Sequence, residues 1–515
     1  MVVTQHSGDG KANQYFLRGF NLDHGTDFAT SVNGVPVNMP THAHGQGYTD
    51  LNFLIPELVD HIDFRKGPYS VADGDFAAAG SANIFYKDRL DRPFVRLELG
   101  AHNFRRSVLA VSGESGTGLR WLGVTDKIAI WGLHSRLALF SNFTYFTKGD
   151  EGDQFLQCEG RHALGLSGSR AWSHQLAGAD AQTSVGLQLR NDRVRVGLLD
   201  SVARELTGTV RDDTVHLMQW GVFGENMTQW TPWLRTVVGL RANTLHARVR
   251  SHTLAENSGS ASDFLLSPKS SVVLGPWANT EFFFNAGRGF HSNGARGTTI
   301  RVDPANPTQA VERVPPLVPA VGYEVGLRGQ WWPGLVTSVA LWRLHSHSEL
   351  VYLGDEGSTE AGPASRRHGI EWNTRWAPAR WLLINADLAW THARQADGSR
   401  IENAVDQVSV VSATVRPAPG WSATLAWRRI GSAALTADNS VRSRPSLTTN
   451  LHLAWAPPGE RWSLSLDIFN LLNRRNDDIQ YWYASRLPGE AGDVEGMHVH
   501  PAEKRTIRAT LRLAF

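Results

Sequence analysis

The sequence predicts an all-β protein, a transmembrane antiparallel β-barrel, and three observations carry that prediction. The carboxy-terminal stretch Thr506–Phe515 alternates strictly, with Ile507, Ala509, Leu511, Leu513 and Phe515 on one set of positions and Thr506, Arg508, Thr510 and Arg512 on the other. A period of two sends the sets to opposite faces of a strand, and two arginines facing away from an apolar row suit a wet lumen better than a dry core. The same alternation recurs in spans of about nine to eleven residues, the length a tilted strand needs to cross the hydrocarbon layer; soluble strands centre on about five or six. Finally, 19 tryptophans stand against 9 tyrosines, and many close such spans, where an amphipathic ring lies at headgroup level.

In chain order, residues 12–88 hold short β-branched strands broken by Gly34, Pro36, Pro40, Gly45, Gly47, Pro56, Gly67, Pro68, Gly74 and Gly80, the pattern of a small mixed sheet with long loops. From Asp91 the rhythm lengthens, with Val95, Leu97 and Leu99 set against Phe94, Arg96 and Glu98. Between Gly113 and Phe140 little strand-forming sequence is present. Further on, Leu382, Ile384, Ala386, Leu388 and Trp390 alternate with Asn385, Asp387 and Thr391, and Trp421, Ala423, Leu425 and Trp427 with Ser422, Thr424, Ala426 and Arg428. Leu447–Trp455 and Trp462–Ile468 repeat the pattern, and Trp331, Trp332, Trp381, Trp390, Trp421, Trp455 and Trp462 form the predicted girdle. At roughly ten residues per strand and a similar average for connections, residues 90–515 accommodate about twenty strands.

Composition sets limits. A formal net charge of +2 gives no bulk attraction to nucleic acid. A mean hydropathy of −0.28 and the lack of any apolar run near about eighteen residues exclude a helical span, though not a barrel. One cysteine, Cys158, excludes an internal disulfide framework and a cysteine-rich metal site; it reads as a lone thiol without a role. Met1–Gly10 lacks the basic, apolar and small-residue segments of an export signal. No zinc-protease, nucleophile-elbow or phosphate-loop signature is present, so no enzyme and no cofactor are expected.

Arg18-Gly19-Phe20 leads to Val32-Asn33-Gly34-Val35-Pro36, then to Arg65-Lys66-Gly67-Pro68 and, past Asp73 and Asp75, to Gly80-Ser81-Ala82-Asn83-Ile84. In order and spacing this series resembles the plug domain of TonB-dependent outer-membrane receptors. The resemblance continues through Asn285–Asn293, Ala295-Arg296-Gly297 and Asp467–Asn473 to the terminal Phe515, and covers most of the chain. It implies a barrel of about twenty-two strands or fewer, too wide to be filled by its own side chains, with a partial plug (1–88) inside the lumen of a barrel (89–515). It also implies the outer membrane of a Gram-negative bacterium and active uptake of a scarce ligand, most often an iron-siderophore or other metal chelate. The implied partners are outer-membrane lipid, the TonB–ExbB–ExbD energy complex for a full-length form, the extracellular chelate, and the assembly machinery that receives the strand ending at Phe515; nucleic acid is not among them.

Two departures from the family pattern qualify that expectation. Nothing before Asn13 matches the TonB-contacting segment, and the short Gly113–Phe140 region leaves room for fewer strands. The rival readings are a passive pore or uncoupled fragment and, from another class, a soluble all-β enzyme or lectin.

The candidate ligand site has two parts. Met39, His42, His44, Gln46 and Tyr48 lie where the plug's apical loop is expected, and Met39 with the two histidines has the chemistry to ligate copper or another borderline metal. The alternative is a solvated loop whose histidines hydrogen-bond plug or barrel. Arg288, His291, Asn293 and Arg296 form the second part, suited to an anionic chelate or, equally, to pairing with the plug carboxylates Asp73 and Asp75. Arg18, Arg65 and Lys66 are expected to pair with lumen carboxylates, and Gly19 and Gly67 to shape the plug motif. A charge replacing Leu511 is expected to meet lipid near mid-depth.

Overall fold

The computed structural model describes residues 1–5, 12–22, 26–112, 124–348, 350–353 and 358–515. An 18-stranded antiparallel sheet dominates it. Val124–Ser141 begins a meander in which each strand pairs with the next in sequence as far as Trp462–Phe469. Two hairpins, Leu350–Leu353 with Ser358–Ala361 and Asp477–Ser485 with Val494–Pro501, stand outside the meander as excursions. Thr506–Ala514 then pairs on one side with Trp462–Phe469 and on the other with Phe94–Gly100, so the last strand meets the first, Arg508 opposite Gly100 and Ala514 opposite Phe94. That is the closing pairing expected from the alternation, and it covers edges that lipid could not satisfy. Among the described residues Arg105–Ala110 and Val124–Ser141 are the remaining edges of the sheet, and Val124–Ser141, an 18-residue strand, occupies much of the Gly113–Phe140 stretch that the sequence left short of strands.

Among the described residues the sheet has eighteen strands, against the twenty or so counted from length, and individual strands run far beyond ten residues. Phe155–Leu176 has 22 residues, Ala179–Val202 has 24 and Glu205–Thr231 has 27. The longest spans on the order of 90 Å, against an apolar band of roughly 25 Å. Above the band these strands earn a core of their own: Val194, Val196, Val215, Leu217, Leu245, Ala247 and Val249 pack inward with Ala43, Ala295 and Leu317.

The two faces follow the period of two. Leu97, Leu99, Ile128, Ile130, Leu164, Val238 and Leu240 are exposed on the outside, where lipid covers them. Glu98, Arg161, Asp192 and Glu371, on the other parity, are buried. Connections at one end are tight, as at 177–178, 232–233, 278–279 and 380–381, whereas the other end carries long ones, as at 293–316 and 470–505, beside the two-residue turn at 203–204. Short turns mark the periplasmic side and long loops the extracellular side. Tryptophans gather at the short-turn end: Trp421 stacks on Trp455 at 5.4 Å, Trp455 meets Trp462 edge-on at 5.1 Å, and Trp233 lies 6.1 Å from Trp277. Trp390 is the exception among the predicted girdle residues, lying well up its strand Leu382–Gln395.

Residues before Phe94 build the predicted small mixed sheet, ordered Val35–Pro36, Phe28–Val32, Gly80–Tyr86, Val59–Lys66, with Phe28–Val32 parallel to Gly80–Tyr86. A three-stranded sheet of Val2–Gln5, Asn13–Leu17 and Phe20–Leu22 adjoins it. This segment lies inside the ring. Its Tyr15, Leu17, Phe20, Leu22 and Phe28 share one core with Ala320, Trp342 and Leu344 of the wall, and its polar groups touch strands all round the lumen, from Glu57 with Arg106 to the Val3 carbonyl with Arg428.

Fit between segment and wall is tight enough to test. A Cβ added to Gly287 would lie 2.3 Å from the Pro68 carbonyl oxygen, which is backbone and has nowhere to go. Gly287→Ala is therefore expected to cost about 1–3 kcal/mol of plug seating, read as faster proteolysis of the N-terminal segment in the folded barrel; unchanged protection would show that the contact is not made.

Candidate functional site

The apical loop Thr41–Tyr48 reaches the extracellular half of the lumen and lies against the wall, its residues buried. Its position is fixed by one barrel strand, Phe155–Leu176. Ala43 N–H donates to Glu159 Oε2 at 2.9 Å, His44 Nδ1 donates to Gln157 Oε1 at 2.7 Å, and the fully buried Arg161 donates to the Thr41 carbonyl. Arg161 in turn pairs with Glu159 at 2.8 Å and with Asp192 at 2.6 Å. The extracellular loop that follows Thr280–Ser292 closes over the same loop: Ala295 N–H donates to Thr41 Oγ1 at 2.7 Å, Arg296 Nη2 to the His42 carbonyl at 3.1 Å, and Gln46 Nε2 to Asn293 Oδ1 at 3.4 Å.

His42, His44, Gln46, Tyr48, Asn293 and Arg296 are thus brought together, yet the histidines do not stand in open water. His42 stacks on Tyr48 at 4.2 Å, and its Nδ1 accepts the His44 backbone N–H at 3.2 Å. Each imidazole spends a ring nitrogen on the loop or the wall. Among the described residues no group of three His, Cys, Asp or Glu is arranged to hold a metal ion. The loop is buried, and its histidines hydrogen-bond the loop and the wall.

Arg288 and His291 part company. Arg288 shares the parity of the exposed Phe282 and Phe284 and donates to the Leu266 carbonyl at 3.3 Å, whereas His291 points inward to Asp27 at 2.8 Å. An odd separation along a strand puts them on opposite faces, which corrects the expectation that both meet one vestibule. Asp73 accepts from Arg65 at 3.2 Å and Ser81 at 2.7 Å, and Asp75 from Ser292 N–H at 2.7 Å and Gln219 at 2.7 Å. Arg296 sits beside Arg211, which donates to its carbonyl at 3.4 Å; burial, then the Arg211 charge, push the Arg296 guanidinium down to about 10, still protonated at neutral pH.

The plug motif residues have distinct jobs. Arg18 pairs with Glu324 and, at 3.1 Å, with Glu371, and Lys66 approaches Glu371 at 3.4 Å; both partners are lumen carboxylates, as expected. Arg65 instead takes the segment's own Asp73, eight residues away and brought near by the turn after Lys66. Gly19, at φ +70°, would drive a Cβ to within 2.4 Å of Thr391 on the wall, and Gly67 also adopts a left-handed φ of +75°. The sequence reading missed Gln157, Glu159, Arg161 and Asp192. The signal was there: Gln157, Glu159 and Arg161 occupy every second position of one strand, the mark of a polar lumen row.

A filled barrel with long extracellular loops and an internal N-terminal sheet matches a known family: the model for the TonB dependent receptor-like β-barrel covers residues 8–471. The chain belongs to this family. TonB-dependent receptors reside in the Gram-negative outer membrane and are transporters, not enzymes. The fold is similar to that of the ferric yersiniabactin uptake receptor FyuA from Yersinia pestis (TM-score 0.72, 14% identity, 100% of this chain and 93% of that one). It is similar as well to the ferric citrate transporter FecA in its unliganded form (0.74, 13%, 100% and 92%) and to the copper transporter OprC (0.70, 15%, 100% and 93%). With this family assignment the N-terminal segment is the plug.

Proposed function

We propose that this TonB-dependent receptor imports an anionic metal chelate, with residues 1–88 acting as plug, 89–515 as barrel, and the TonB–ExbB–ExbD complex supplying the energy. The observation that carries the ligand class is the direct contact between the extracellular loop and the plug's apical loop, at the place where Arg296 and Arg211 lie side by side. Arg211 pairs with Asp213 at 2.5 Å, and guanidiniums at this contact favour carboxylate or hydroxamate-like oxygens over a bare cation. Similarity to receptors named for ferric yersiniabactin and ferric citrate supports the same class. The copper reading of Met39, His42 and His44 is the weaker one, because both imidazoles already serve the loop.

Binding of ferric citrate, ferric yersiniabactin and copper(II) ions to the detergent-folded chain tests this. At least one ferric chelate is expected to bind, and Arg296→Gln is expected to weaken it about tenfold, since a charge-assisted hydrogen bond contributes about 1.5–3 kcal/mol. Stoichiometric copper binding with no chelate binding would overturn the proposal in favour of a metal-ion site. His42→Ala with His44→Ala is expected to loosen the apical loop; chelate affinity unchanged by that pair would place the ligand wholly on the arginine side.

A further inference from the structure

The outer face of the barrel carries a second, unassigned feature. On the adjoining strands Leu335–Ser346, Ser365–Ala379 and Leu382–Gln395, the register sets Leu341 opposite Ile370 and Ile370 opposite Trp390. All three side chains are exposed and face lipid. One step toward the extracellular end, Arg343 faces His368 and His368 faces His392; one step further, His345 faces Arg366 and Arg366 faces Arg394. The rings of His368 and His392 are 5.2 Å apart. Like charges directly opposite across strands repel; here Arg366 and Arg394 oppose each other directly, and the row below sets Arg343 beside two imidazoles. Among the described residues no carboxylate ion-pairs with Arg343, Arg366 or Arg394; Asp406, in the loop above, is held by Arg442 at 2.8 Å. The inner parity of the same strands is different in kind: Trp342, Leu344, Arg367 and Ala393 are buried against the plug.

Height identifies what these rows meet. From Trp376, near the short-turn end, up to His368 the strand climbs roughly 20 Å at ~3.3 Å per residue and ~40° tilt, close to the thickness of the apolar band. The basic rows therefore stand at the level of the outer-leaflet headgroups. Two strands along, Trp427 and Arg429 share the outer parity, while Arg428 turns inward to the Val3 carbonyl at 2.9 Å. With Arg474, Arg475 and Leu447 they line a cavity of ≈ 460 Å³. That continues the same arrangement, an apolar floor beneath guanidiniums.

We propose that this outer-face patch, centred on Arg343, Arg366 and Arg394, binds the phosphate groups of the phosphorylated glycolipid of the outer leaflet. The acyl chains would cover Leu341, Ile370 and Trp390, and the guanidinium forks would take phosphate oxygens in pairs. The anion relieves the cross-strand repulsion that the protein leaves uncompensated. This site is on the opposite face of the wall from the transport site, so either reading can fail without the other.

Native mass spectrometry of the full chain, folded in a nonionic detergent, tests it with two probes, bisphosphorylated lipid A and lipid A stripped of both phosphates. The phosphorylated form is expected to bind at least about tenfold more tightly. Arg343→Gln with Arg366→Gln and Arg394→Gln is expected to lower its affinity to that of the stripped form, and Arg328→Gln, at the short-turn end, to leave it unchanged. Equal affinity for the two lipids overturns the proposal, as does full binding by the triple variant. Displacement of the lipid by millimolar inorganic phosphate would make the patch a free-anion site and overturn it also. The two-lipid comparison uses the unaltered chain and decides the matter even if the triple variant does not fold.

Discussion

Replacing Arg18 with alanine is expected to loosen the plug by about 3–5 kcal/mol. The Arg18 side chain is almost wholly buried, lies 5.0 Å from the Trp342 ring, and is held between Glu324 and Glu371. Its loss would leave two carboxylates facing a closed interior, with Lys66 at 3.4 Å from Glu371 and Asn285 Nδ2 donating to Glu324 at 2.9 Å as the remaining partners. Neither partner supplies the two-pronged contact of a guanidinium, so Arg18→Lys should recover only part of the loss. The measurement is proteolytic protection of residues 1–88 across a urea series, with heat-modifiable gel mobility reporting that the barrel itself stays folded. Removing the stranded charges as well, by Glu324→Gln and Glu371→Gln on Arg18→Met, should restore most of the protection. If protection in Arg18→Ala matches the unaltered chain, the buried triad does not hold the plug.

A charge placed on the lipid face should cost an amount set by depth. Leu99 lies opposite Ala509, which lies opposite Leu466, four positions above the girdle residue Trp462; Leu99→Arg is expected to cost about 2–4 kcal/mol as a mid-depth arginine. Leu511, the residue singled out from the sequence, pairs with Leu464, two positions above Trp462. It is nearer the interface than the alternation alone implied, where the cost falls toward about 0–1 kcal/mol because the guanidinium reaches headgroups. Refolding into lipid vesicles over a urea series, scored by the folded fraction, should rank Leu99→Arg well below Leu511→Arg. Equal behaviour of the two would mean that the register does not set depth as described.

What the sequence disclosed depended on whether a signal was local. Period-two alternation is local, and from it came the all-β class, the lipid and lumen faces of Thr506–Phe515, and the pairing of the last strand with Phe94–Gly100. The opposition of Arg288 and His291 was equally legible, since three positions along a strand reverses the face. Partners distant in sequence were not legible: nothing near Arg18 points to Glu324 or Glu371, and nothing near His291 points to Asp27. Strand length was hidden for another reason. Glu205–Thr231 carries Gly208, Gly221 and Gly224 and the run Arg211-Asp212-Asp213, residue types depleted in strands, yet the ladder to Ala179–Val202 runs through all of them.

The core shared by plug and wall bears on the order in which this molecule can be made. Trp342, Leu344 and Ala320 project into the lumen and pack with Tyr15, Phe20, Phe28 and other residues of the N-terminal segment. A ring completed first would present a greasy stripe to water, and a plug completed first would be left with one flank uncovered. The N-terminal sheet therefore has to wait for strands about three hundred residues downstream, and the two mature together as one cooperative unit. A chain trimmed of its amino-terminal sheet should consequently emerge as a sticky, poorly assembled product and not as an open channel.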